Sequence, residues 1–209
     1  MASVATVIRR HLSDGAWAYT TAGVILALGG LLGVMAQEAL GAQQRAELLR
    51  VLGLFLTRVS AHHYALTGLA REGVGQSLRS LGLMLLVGLS IVGIPVLFLA
   101  VGFKGFAWGF AASFLVRELG ARGLVLLCVG TLPGFLLTAP ALMLVVAAAL
   151  GFASAFWKSQ FFRVRGRAAQ ALVRFAGLGC LAAGGVLLGA LWNVYLTPLL
   201  LAWLVPYLK

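Results

Sequence analysis

Residues 88–116, GLSIVGIPVLFLAVGFKGFAWGFAASFLV, are apolar except for Lys104. As one helix, the wider apolar region 80–116 would be about 55 Å long, whereas the hydrocarbon core of a bilayer is about 30 Å thick. A turn is therefore predicted, with Gly102, Lys104 and Gly105 marking it. A lysine reaches the headgroups cheaply at such a turn, whereas at mid-bilayer it costs several kcal/mol. The alternative interpretation is a buried functional cation.

The composition of the whole chain is that of a membrane protein. Its 209 residues are 62% hydrophobic and 10% charged, whereas soluble domains carry about a quarter charged residues. A water-soluble fold of this size could not hide so much apolar surface. The net charge of +11 is typical of basic residues that orient the chain and contact anionic membrane lipids. Nucleic acid is not an expected partner, because no aromatic–basic binding motif accompanies the charge.

Hydropathy along the chain predicts an all-α, polytopic integral membrane protein, with residues 1–209 forming a single membrane domain. About five transmembrane helices are expected, at 16–36, 80–102, 105–119, 123–156 and 175–192. The first apolar run is longer than the h-region of a signal peptide, about 7–15 residues, so we predict a retained helix. A cleaved signal peptide is the alternative. Residues 193–209 carry prolines and interfacial aromatics, which indicates an interfacial tail rather than another crossing.

Two spans contain features of helix packing and helix interruption. Gly105, Gly109 and Ser113 form a small-xxx-small face that allows close packing of helices. Pro133 and Pro140 interrupt the span 123–156, and each removes a backbone donor, so a kink or break is predicted there. Broken helices line ion sites in transporters. Because no charged residue accompanies this break, we predict a kink that neighbouring helices accommodate.

The long polar interval, residues 37–79, contains a predicted amphipathic helix at 43–59. Leucines, valines and a phenylalanine fall on one helical face, and charged and polar residues fall on the other. Such a helix lies on the membrane surface, packs on its own membrane domain, or docks a partner. The candidate partner-binding residues are Glu47, Arg50, Phe55 and Arg58.

The orientation in the membrane depends on one loop. Residues 158–174 carry five cations and no acid, which indicates a cytoplasmic loop. Counted over the whole chain, the basic residues divide equally between the two sides, so the density of this loop decides the orientation. Five crossings then put the amino terminus in the cytoplasm, the carboxy terminus outside and the interval 37–79 outside.

Four stretches together resemble the stage II sporulation protein M family. They are GLSIVGIPVLFLAVGFKGFAWGFAASFLV at 88–116, LPGFLLTAP at 132–140, YLTP at 195–198 and RRHLSDGAWAYTTAGVILALGGLLG at 9–33. The resemblance covers nearly the full length. It implies a non-enzymatic scaffold of the engulfment complex, located at the sporulation septum and in the engulfing membrane of endospore-forming bacteria. The implied partners on its outer face are the peptidoglycan-degrading stage II sporulation proteins D and P, which remodel the septal wall.

The residues themselves favour a scaffold over an enzyme. No nucleophile–base–carboxylate set and no phosphate-binding glycine loop is visible, so no catalytic residue and no cofactor is expected. His62 and His63 point about 100° apart on a helix and cannot jointly hold one metal, so no metal site is expected. An intramembrane protease would need a paired nucleophile and base in adjacent spans, and none is visible.

The alternative function is that of a small transporter or channel subunit. Ion-coupled carriers usually keep an ionisable residue well inside a span, and none of the predicted spans has one there. Homo-oligomerisation stays open.

Overall fold

A computed structural model describes the backbone of residues 4–60, 66–90, 93–162 and 167–204. Side chains are described for residues 16–54, 57, 72–90, 93–155 and 170–200. His62 and His63 lie outside the described residues. The described chain is helical apart from short turns, which confirms the all-α prediction.

Eight α-helices follow one another along the described chain. They are α1 (Val4–Glu38), α2 (Ala42–Ser60), α3 (Leu66–Gly88), α4 (Gly93–Leu119), α5 (Ala121–Leu126), α6 (Leu132–Phe162), α7 (Arg167–Leu191) and α8 (Thr197–Leu204). Two π-helical segments, Leu127–Thr131 and Trp192–Leu196, join α5 to α6 and α7 to α8. Four stretches are long and apolar enough to cross a bilayer, namely Ala16–Glu38, Gly93–Leu119, Ala121–Ala155 and Gln170–Leu200.

The helices α1 and α4 run in the same direction. Gly105 lies against Leu26 and Gly109 against Gly30, so residue numbers increase in the same direction along both helices. Their carboxy-terminal ends also meet, where Arg117 pairs with Glu38. Because both helices run the same way, the chain between them must return along the bundle.

The helix α3 makes this return. Gly73 lies beside Val194 near the end of the α7 segment, and Gly88 lies beside Ala149 of α6. The helix α3 therefore runs with α6 and against α1, α4 and α7. With α3 as the fifth pass, the bundle agrees with the predicted count of about five.

The predicted turn at Gly102–Lys104–Gly105 is wrong. The helix α4 is continuous from Gly93 to Leu119, and the chain reverses between the end of α3 at Gly88 and the start of α4 at Gly93 instead. Pro95 lies in the first turn of α4, where the amide that proline lacks would have had no helical partner anyway. The length of the apolar region correctly predicts a turn. The predicted position of the turn is wrong because it assumes that the Lys104 ammonium lies at the headgroups.

The predicted span 80–102 is replaced by α3, which begins fourteen residues earlier, at Leu66. Residues 66–79 were predicted to belong to the polar interval, but they form the first half of this helix. Their exposed face carries Glu72, Gln76 and Arg79, which lowers the hydropathy of the segment and conceals the helix from a hydropathy-based prediction. The predicted span 105–119 is the second half of α4.

The core of the bundle centres on α6. Residues 145–150 of α6 are buried on every side, and Ala139, Ala141 and Leu142 continue the buried surface. Small alanines allow neighbouring backbones to approach, which matters in a membrane because helix association depends on dispersion contacts rather than on the exclusion of water. Because this part of α6 lies at the centre of the bundle, it has no polar face.

The proline-containing span and the two segments after it are more regular than predicted. The irregularity falls on the π-helical segment Leu127–Thr131, which precedes α6. Pro133 is the second residue of α6, and Pro140 lies further inside the same helix. The predicted loop 158–174 is largely helical, since α6 extends to Phe162 and α7 begins at Arg167, with residues 163–166 outside the described chain. The predicted tail 193–209 continues the α7 helix into α8 as far as Leu204.

Candidate functional site

Glycines make a close contact between α1 and α4, two helices that do not follow one another in the chain. A Cβ atom built on Gly105 would lie 2.2 Å from the carbonyl oxygen of Leu26, and one on Gly109 would lie 2.1 Å from that of Gly30. From the other side, a Cβ on Gly29 would lie 2.1 Å from the oxygen of Gly102. Backbone therefore lies directly on backbone. The predicted packing role of Gly105 and Gly109 has this physical basis.

The remaining packing candidates have other surroundings. A Cβ atom on Gly102 would meet only the side chain of Ile25, at an ordinary 3.5 Å. Gly102 contributes to the contact through its carbonyl oxygen, which lies against Gly29. The hydroxyl of Ser113 donates to the carbonyl of Phe110 in its own helix, at 3.1 Å.

One ion pair connects α2 to the end of the bundle where α1 and α4 finish. The Nε atom of Arg45 in α2 lies 3.8 Å from a carboxylate oxygen of Glu118 in α4. A second pair, Arg117 of α4 with Glu38 of α1, joins the two helices that end there. Pairs this accessible contribute roughly 0–1 kcal/mol each, so they add little to the stability of the fold.

Most of the surface of α2 stays exposed. Arg45, Leu48 and Leu52 are partly buried, and their spacing puts them on one stripe that faces the bundle. Other apolar side chains of α2 are exposed, namely Leu49, Val51 and Leu54. The predicted amphipathic helix is thus confirmed, with an apolar surface wider than the stripe that packs on the bundle.

Two of the four predicted partner-binding residues lie on this exposed surface. Glu47 and Arg50 are mostly exposed, and a carboxylate oxygen of Glu47 lies 3.8 Å from a guanidinium nitrogen of Arg50. The side chains of Phe55 and Arg58 lie outside the described residues. We name the exposed residues Glu47, Leu49, Arg50, Val51 and Leu54 the α2 surface.

Lys104 lies inside the bundle, near the middle of the 27 residues of α4. Its side chain is half-buried and lines a cavity of about 40 Å³ formed by α3, α4, α6 and α7. Three hydroxyl-bearing residues line the same cavity, namely Ser77, Ser80 and Thr138. The structure therefore supports the alternative that the sequence left open, a cation buried within the protein.

The hydroxyls around this cavity differ in what they offer. The Ser77 hydroxyl donates to the carbonyl of Gly73 at 2.9 Å, and the Thr138 hydroxyl donates to the carbonyl of Gly134. Their oxygen lone pairs remain available to accept from the ammonium group of Lys104. Ser80 and Thr138 lie in predicted spans, so the sequence already placed them on helices. Ser77 fell in the predicted polar interval, and its place on a helix follows only from the start of α3 at Leu66.

These features define a multi-pass helical membrane protein with a helix fixed across one end of its bundle and a lysine inside it. Within the described residues, no group of three or more His, Cys, Asp or Glu side chains could hold a metal ion. The family profile of stage II sporulation protein M matches residues 22–198, so the chain belongs to that family. No curated protein and no solved structure matches the chain.

Proposed function

We propose that this protein is a non-enzymatic scaffold of the engulfment complex. In this role it recruits stage II sporulation proteins D and P on the outer face of the septal and engulfing membrane, and these hydrolases remodel the septal wall during endospore formation. Membership of a sporulation family of membrane proteins supports the setting. The observation that carries the scaffold role is the α2 surface, which lies on a helix connected to α4 by one ion pair and is left largely uncovered.

A recruiting surface needs a fixed position and an uncovered apolar patch beside charged groups. The α2 surface has both, because Arg45 ties α2 to α4 while Leu49, Val51 and Leu54 stay exposed next to Arg50. An apolar centre with a charged rim is the usual anatomy of a protein–protein interface. Packing against lipid headgroups is the competing use of such a helix.

Reversing charge on the α2 surface should therefore release the partners. We expect the double variant Arg50→Glu/Leu54→Gln to reduce co-purification of both hydrolases at least about fivefold, since interface anchors contribute about 1 kcal/mol or more each. The measurement is a pull-down from detergent-solubilised sporulating cells, normalised to the amount of membrane-inserted protein.

The matched control is Arg174→Glu, which reverses an exposed charge on α7 at the opposite end of the bundle. This control should leave recruitment unchanged. Normal recruitment by the α2 double variant would show that the α2 surface contacts only lipid. An equal loss in the control would show that the effect is a general one of charge.

The proposed orientation places α2 outside and the connection between α6 and α7 in the cytoplasm. Its support is the acid-free cluster of cations in residues 158–174. We expect a membrane-impermeant thiol reagent to label Gly53→Cys in intact cells and to label Ser159→Cys only after lysis. Gly53 is suitable because no atom lies within 4 Å of a Cβ built there.

The background for this labelling should carry Cys128→Ala and Cys180→Ala, because both native thiols are exposed on the bundle surface. Labelling of Ser159→Cys but not of Gly53→Cys in intact cells would reverse the orientation. The α2 surface would then face the cytoplasm, where it could not recruit outer-face hydrolases.

Transport is the second candidate function, and Lys104 favours it. The predicted spans carry no ionisable residue well inside them, which weighs against transport. The continuous α4 removes that argument, because Lys104 lies well inside Gly93–Leu119. Ionisable residues at such depth often mark substrate or ion pathways.

A further inference from the structure

The lysine inside the bundle lacks a counter-charge within the described part of the chain. An isolated charge at the centre of a bilayer is expensive, so such residues pair with another charge or with polar groups. The described acids do not lie at the Lys104 cavity. Glu38, Glu47 and Glu118 each pair with an arginine at the end of the bundle that holds α2.

The last two of the five acids do not line the cavity either. Glu72 is exposed on α3, five residues before the lining residue Ser77, which is about 7.5 Å along the helix. Asp14 lies on α1 twelve residues before Leu26, the residue beside Gly105, which is about 18 Å along the helix. A compensating negative charge at Lys104 can be supplied by a ligand from outside the chain.

The geometry of the Lys104 cavity limits what that charge can be. Helices α3, α4, α6 and α7 all contribute to its lining. Its volume of about 40 Å³ holds roughly three waters or one small ion, since one water needs at least about 10–15 Å³. A lipid phosphate with its glycerol does not fit this space.

The polar groups of the cavity divide into two sets. The hydroxyl protons of Ser77 and Thr138 bond backbone carbonyls, so their oxygens keep the capacity to accept a hydrogen bond from the ammonium. The ammonium has three N–H donors, so one remains for a ligand. Ser80 also lines the cavity, and its hydroxyl can supply a second donor to that ligand.

We propose that Lys104 and Ser80 bind a small monovalent anion of chloride size inside the bundle, with Ser77 and Thr138 orienting the ammonium. The anion neutralises the buried cation and joins α3 to α4 through one ligand. This site is independent of the scaffold role, because it lies within the bundle rather than on the α2 surface.

The test uses the full-length protein in detergent, with chloride itself as the probe. Chloride replaces gluconate at constant ionic strength while the unfolding midpoint is recorded. A ligand that binds only the folded protein raises its stability with a saturable dependence on concentration. We expect a saturable rise in Tm for the native protein and none for Lys104→Met. Ser80→Ala should weaken the apparent chloride affinity about tenfold, as expected for the loss of a hydrogen bond to a charged group.

The matched control is Arg79→Gln, which removes an exposed cation adjacent to Ser80 that does not line the cavity. This variant should keep the chloride response of the native protein. If Lys104→Met does not fold, the concentration-dependent broadening of the ³⁵Cl resonance by native protein, Arg79→Gln and Ser80→Ala provides the same comparison. A Tm independent of the anion, or a saturable response that survives Lys104→Met, would overturn the proposal. The same holds if Arg79→Gln alone abolishes the response.

Discussion

Replacing Gly109 by alanine is expected to reduce the amount of folded protein in the membrane to a small fraction of the native level. The new Cβ atom would lie 2.1 Å from the carbonyl oxygen and 2.7 Å from the carbonyl carbon of Gly30. Backbone atoms cannot rotate away as a side chain can, so α1 and α4 must separate. Separation removes dispersion contacts along the pair, and overpacking of this kind costs about 1–3 kcal/mol or more.

The same substitution at Gly105 should have a similar effect, because its Cβ atom would lie 2.2 Å from the oxygen of Leu26. The measurements are the level of membrane-inserted protein on blots and the Tm of the purified protein. Gly82→Ala and Gly184→Ala are matched controls, since they lie in α3 and α7 with no atom within 4 Å of the built Cβ. If Gly109→Ala accumulates as well as these controls, the helices do not touch as described.

Replacing Gly123 by alanine is expected to have the second large effect, because it blocks the turn between α4 and α5. A Cβ atom there would lie 1.7 Å from the carbonyl oxygen of Leu115 and 2.5 Å from its carbonyl carbon. The start of α5 would have to move away from the end of α4. That end carries Arg117 and Glu118, so the pair of Glu118 with Arg45 of α2 and the pair of Arg117 with Glu38 of α1 would be disturbed as well.

Gly120→Ala separates steric from conformational effects at this turn. Gly120 has a φ of 58°, and open space surrounds its built Cβ atom. The cost there is conformational, about 1–2 kcal/mol for a non-glycine residue at positive φ. We expect both variants to lower Tm and protein level, with Gly123→Ala the more severe. A milder effect for Gly123→Ala than for Gly120→Ala would contradict the close approach of Leu115.

Both glycine predictions bear on function through the α2 surface. The contact between α1 and α4 sets the ends of the two helices side by side, and these ends carry the acid and the arginine that pair there. A variant that separates the helices should therefore lose recruitment in proportion to its loss of folded protein. The α2 double variant should lose recruitment while the fold persists, so the two measurements distinguish scaffold geometry from a recruiting surface.

The sequence by itself determined the class of protein, the number of passes, the amphipathic helix and the family. Composition excludes a soluble fold because so many apolar residues exceed any interior that a chain of this size can form. The amphipathic helix was predicted at 43–59 and extends from Ala42 to Ser60, since a period of 3.6 residues is a local property that needs no tertiary contact. The bilayer thickness required a turn between residues 80 and 116, and the chain does reverse there, between the end of α3 at Gly88 and the start of α4 at Gly93.

The tertiary structure alone decided where the chain turns and what surrounds Lys104. The cost of a lysine at mid-bilayer depends on its neighbours, and those neighbours come from α3 and α6, far along the sequence. Hydropathy treats every position as facing lipid, so it placed the turn at the charge and missed the polar half of α3. The close contact between α1 and α4 was equally inaccessible. A small-xxx-small face shows that a helix can be approached closely, but only the packed structure shows that Gly30 lies against Gly109.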